Sequence, residues 1–70
     1  MKQFVRTTEA DASALIGTLR QAGIRNQMQI RLGQRAWIHH IETDQLICEL
    51  LRYTERDERI CCVKLEARKP

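Results

Sequence analysis

The stretch "NQMQIRLGQRAWIHHIE", residues 26–42, decides how the rest of the chain is read. Apolar and polar residues alternate in its first part. Met28, Ile30 and Leu32 fall on one side and Gln27, Gln29 and Arg31 on the other, the period of two expected of a half-buried strand. Gly33 interrupts the pattern and "RAWIHHIE" resumes it, which predicts a β-hairpin. A three-residue connection over residues 33–35 sets Leu32 opposite Ala36 and Ile30 opposite Ile38, with Arg31 beside Trp37 and Gln29 beside His39. A two-residue turn puts Trp37 and His39 on the core face instead. A slip of one residue carries every side chain of a strand to the opposite face, so the two registers give different surfaces.

Upstream, "TTEADASALIGTLRQAG" has the period of a helix. Thr7 or Thr8 can cap its N-terminus, and Glu9 and Asp11 lie in the first turn, where the helix dipole favours negative charge. Ala12, Leu15, Ile16 and Leu19 make one apolar stripe, Arg20 falls in the last turn and Gly23 supplies the stop. Phe4 and Val5 either begin a short strand or pack on the elements after them. Downstream, "TDQ" is a break, after which "LICELLRY" and "RICCVKLEA" flank "TERDE". As a hairpin, these place Cys61, Val63 and Leu65 on one face and Ile47, Leu51 and Tyr53 on another. The same residues also fit one long helix, since "TERDER" is a good helix former. The β-compatible run Ile60-Cys61-Cys62-Val63 favours strands. The expected fold class is α+β: an N-terminal helix packed on a small curved antiparallel sheet, or partly open barrel, of four to five strands.

Seventy residues make a single domain, 1–70, with a core too small for comfort, so a partner or self-association is expected. Three cysteines, an odd number with a vicinal pair, do not suggest a disulfide framework. The opening "MKQFVRTTEADAS" does not read as a signal peptide, and no apolar run reaches membrane-spanning length. These features point to a cytoplasmic protein with reduced thiols and no membrane contact. Charge is segregated. Residues 12–41 contain no Asp or Glu but hold Arg20, Arg25, Arg31 and Arg35, whereas residues 42–58 hold six acids against Arg52 and Arg56. That polarity suits a basic binding face, or head-to-tail association of one copy with another.

The segments "LIGTLRQ", "MQIRL" and "HIETDQLICELLR" together resemble the helix and first motif of the Sm-like small β-barrels, bacterial Hfq in particular. The resemblance covers about half of the chain, with Asp44 and Gln45 at the turn and Leu46 after it. It implies a ring oligomer that binds single-stranded RNA, with Gln45 and Leu46 near a base pocket. Two positions depart from that pattern: His39 stands where a strand Gly is expected, and "ERICCVKLEA" replaces the Tyr-Lys-His signature of the second motif. The N-terminal domain of flagellar-brake proteins has a similar helix-then-strands order, with no RNA involved.

No catalytic motif is present, and an enzyme is not expected. His39, His40, Cys48, Cys61 and Cys62 carry metal-ligating atoms but lack any spacing that would gather them, so neither a metal nor another cofactor is expected. Binding remains. In the three-residue-turn register, Gln27, Gln29, Arg31, Trp37 and His39 form one outward face with Arg25 and Arg35 at its ends. Single-stranded nucleic acid is held by such a mixture, cations along its backbone and flat side chains on which bases stack. The expectation is a nucleic-acid-binding regulator of single-stranded RNA. Trp and Arg also dominate protein contacts, so the alternative is an inhibitor or adaptor, of the kind mobile elements encode, acting on a larger host protein. The acidic residues 42–58 would then serve as a mimic of nucleic-acid charge.

Overall fold

The computed structural model describes residues 3–69. A short strand β1 (Val5–Thr7) leads into helix α1 (Glu9–Ala22), and four further strands come after it: β2 (Asn26–Arg31), β3 (Ala36–Glu42), β4 (Leu46–Glu55) and β5 (Glu58–Ala67). All five strands join one antiparallel sheet in the order β1-β5-β4-β3-β2. The sheet is open, not closed into a barrel, so β1 and β2 are its edges.

Helix α1 obeys its sequence signals. The Thr8 hydroxyl caps it by accepting from the Asp11 amide, and the Gly23 amide donates to the Leu19 and Arg20 carbonyls at the other end. Residues 46–67 form the hairpin and not the helix. The two strands pair along their whole length from Leu46↔Ala67 to Glu55↔Glu58, around a two-residue turn. Arg56 and Asp57 both take positive φ there, 49° and 64°, the backbone that matches the twist of two-residue hairpins.

The first hairpin adopts the three-residue connection. The Leu32 amide donates to the Ala36 carbonyl at 2.9 Å, and Ile30↔Ile38, Arg31↔Trp37 and Gln29↔His39 are partners. What sequence periodicity inverts is the burial. Directly opposed residues of an antiparallel sheet point to the same side. The helix lies on the side of Ile41, Cys48, Leu50 and Cys61, which with Ala12 and Leu19 make the buried core. That is the Trp37, His39 and Gln29 side. Met28, Ile30 and Leu32 face away from the helix and are exposed, as is every residue of β2.

The physical reason lies in the central strands. On the far face His40, Glu49 and Lys64 form a cross-strand row. A helix seated there would bury several charges, whereas on the near face it covers Leu50, Cys48 and Ile41. Two core positions are cysteines acting as small hydrophobes. Burial, reinforced by the nearby Glu49 carboxylate, pushes the Cys48 thiol up to about 11, and Cys61 is raised chiefly by burial. Neither is a ready nucleophile.

Candidate functional site

Trp37 sits at the beginning of β3, half-buried, between Arg31 on β2 and Arg52 on β4. It lines two adjoining depressions on the surface. One, about 410 Å³, is bounded by Trp37, Gln29 and Arg31. The other, about 290 Å³, is formed by Trp37 with Arg52, Tyr53, Thr54, Arg59 and Glu9. A third, about 500 Å³, shares Glu9 and Arg59 with the second and continues past the helix cap to Arg6. The result is an interrupted groove that runs from the β2 edge, past the indole, to the start of α1.

Its charges are held in different ways. The Arg52 Nε donates to Glu9 Oε1 at 3.3 Å, which ties the helix start to the middle of the sheet. The Arg31 Nε and Nη2 donate to the carbonyls of Gly33 and Gln34 at 2.6 and 3.0 Å, so the guanidinium is braced against its own hairpin while its charge stays uncompensated. Among the described residues Arg20, Arg31, Arg35, Arg56, Arg59 and Lys69 make no ion pair with a carboxylate. Arg31 and Arg59 line the groove on either side of Trp37. Arg35 lies at the same end of the sheet, its carbonyl accepting from the Thr54 amide.

The seven residues singled out from sequence are not gathered into one place. Gln29, Arg31, Trp37 and Arg35 lie at the groove end. Gln27 shares their face but sits farther along β2, opposite Ile41. Arg25 belongs to the other end of the sheet, roughly 20 Å from Arg31 by strand rise, where it pairs with Asp44. His39 is half-buried on the helix side. Burial first, then the Arg52 and Arg20 charges, hold its pKa below the ordinary value, which favours the neutral ring. Arg52, Tyr53 and Arg59 were not among the site residues expected from the sequence. The alternation of "LICELLR" puts Arg52 on the face of Leu50, but only the pairing Trp37↔Arg52 brings it to the indole.

The opposite face carries a different constellation. The His40 Nδ1 is 3.1 Å from Glu49 and its Nε2 is 2.8 Å from Glu42. Both ring nitrogens face carboxylates, so both must donate, which requires the imidazolium. Lys64 closes on Glu49 at 3.0 Å and Arg68 on Glu42 at 3.3 Å. Hydrogen bonds to Glu42 and then Glu49 raise the His40 pKa, and the bond to His40 is the largest cause lowering both carboxylates. The His40 contribution is therefore complete below pH 6.5 and is lost as pH rises through its raised value. The carboxylate contributions are complete above pH 4.5 and are lost as pH falls through their lowered values. His39, held low, works in the opposite sense to His40, losing stability as pH falls below 6.5.

Thermal melts from pH 6 to 8, below the range where the buried thiols matter, should therefore show a decline in the native protein that His40→Gln removes. Taking the difference between the two proteins cancels His39. An unchanged decline in the variant would show that His40 is not the titrating group. Among the described residues no three His, Cys, Asp or Glu side chains come together as a metal site. No described helix is long and apolar enough to cross a membrane. No family model, no curated protein and no solved structure matches the chain.

Proposed function

We propose that the chain is a non-enzymatic, cytoplasmic binding protein for single-stranded nucleic acid, RNA first, using the groove around Trp37. The observation that carries this reading is a half-exposed indole whose two adjoining depressions are lined by Arg31 and by Arg59, neither of which makes an ion pair with a carboxylate among the described residues. A flat ring between uncompensated guanidinium groups suits a base stacked on the ring and phosphates at either side. The reading rests on this groove and draws nothing from the Sm-like resemblance. Mimicry of nucleic acid by residues 42–58 is less well supported, because Glu42, Asp44, Glu49 and Glu58 are each engaged by a cation within the chain.

Trp37 is the only Trp, so its fluorescence reports on the groove directly. Titration with a single-stranded RNA oligonucleotide should quench it, with an affinity that falls steeply as salt is raised. Trp37→Ala should weaken binding by roughly 5- to 150-fold, the range set by stacking worth about 1–3 kcal/mol per base. Absence of quenching at low salt would sink the reading. Capture of a protein through Trp37, with little response to salt, would replace it with the adaptor reading.

A further inference from the structure

We infer that β2 is a self-pairing edge through which two copies of this chain join into one ten-stranded sheet. The inference rests on the edge itself and is independent of the nucleic-acid reading. Every residue of β2 is exposed, and the strand has no Pro, no Lys and no cover from helix or loop, its one charge being Arg31 at the end. The opposite edge differs, since β1 is only three residues long and carries the Arg6–Glu58 ion pair. Three of the large apolar side chains left exposed, Met28, Ile30 and Leu32, lie on β2 or just beyond it, all on one face.

The occupant is a second copy because the strand complements itself in a single register. The Leu32 amide bonds to Ala36, so by alternation Ile30 and Met28 also direct their backbone groups toward β3. The N–H and C=O groups of Gln27, Gln29 and Arg31 therefore point out of the sheet. An antiparallel copy satisfies all three when Gln29 lies opposite Gln29 of the other copy and Gln27 opposite Arg31, giving about six new backbone hydrogen bonds. The same register sets Met28 against Ile30 on the apolar face, and Gln27 against the Arg31 side chain on the polar one. The two Arg31 charges then stand about 14 Å apart, beyond the screening length at physiological salt, so they do not oppose pairing. A two-fold axis at Gln29 closes the assembly at two subunits. One strand per copy is a narrow contact, which sets the dimer in the weak, micromolar class.

Sedimentation equilibrium of nucleic-acid-free protein, from about 1 to 500 μM, tests this without reference to RNA. The expected result is a monomer–dimer equilibrium whose dissociation constant rises at least about tenfold in Ile30→Lys, a residue outside the Trp37 groove. Gln29→Pro should do the same while keeping the native circular dichroism, since its amide serves no bond to β3. Gln29→Cys should crosslink to a covalent dimer on oxidation in the full-length chain, while Gln27→Cys should not exceed the native protein. A protein that stays monomeric throughout, a ring-sized mass, or a dimer indifferent to both edge variants would overturn the inference.

Discussion

Leu50→Ala is expected to remove about half of the protein's folding stability. Leu50 lies in the central strand with no exposed surface, between His39 and Val63 and beneath the helix. Removing a buried Leu to Ala costs about 2–5 kcal/mol, through lost burial and the cavity left behind. A domain of this length has only about 4–10 kcal/mol in total. Few other residues can share the loss, because the buried apolar set is short and two of its members are cysteines. Urea unfolding followed by circular dichroism checks the magnitude. Ile30→Ala in dilute protein is the contrast: Ile30 is 38% exposed on the uncovered face and should cost under about 1 kcal/mol. Equal costs at the two positions would mean that the helix does not define the core.

Arg31→Ala combined with Arg59→Ala is expected to lower affinity for single-stranded RNA by about 10- to 100-fold at low salt. If each guanidinium displaces one counterion from the strand, each contributes about 0.7 to the slope of log affinity against log salt, so the pair should reduce it by about 1.4. Folding should change little, because both side chains are exposed and the Arg31 brace to Gly33 and Gln34 closes a surface turn. Arg56→Ala supplies the control, since Arg56 also lacks a carboxylate partner but sits in the β4–β5 turn, outside the lining of the groove. Equal losses for all three positions would indicate attraction to net charge, with no groove involved. A loss confined to Arg31 and Arg59 supports a track past Trp37.

Amino-acid pattern alone placed the helix and a strand pair around Gly33, and left residues 46–67 open between a hairpin and one long helix. The Thr8 cap, the apolar stripe from Ala12 to Leu19 and the Gly23 stop act within a few residues of one another, so they are legible locally. The hairpin around Gly33 is legible for the same reason, but two- and three-residue connections both fitted the sequence, and the structure adopts the second, pairing Arg31↔Trp37 and Gln29↔His39. The faces of the second hairpin are equally local: Cys61 and Val63 join the core side, and Leu51 and Tyr53 fall on the other.

Which face the helix covers was not legible in β2, and there the tertiary structure decided. The alternation of Met28, Ile30 and Leu32 describes a half-buried strand, yet β2 is an edge that the helix does not reach. Burial is set by the middle of the sheet, where Leu50, Cys48 and Ile41 offer an apolar bed and His40, Glu49 and Lys64 exclude one. The candidate site divides in the same way. Gln29, Arg31 and Trp37 were visible because one short turn brings them together, but Arg52 and Arg59 reach the indole through strand pairings that span the sheet. Local interactions act between near neighbours in sequence and can be read there. The order of strands and the seat of the helix depend on the burial of all five strands together, and no single segment carries that sum.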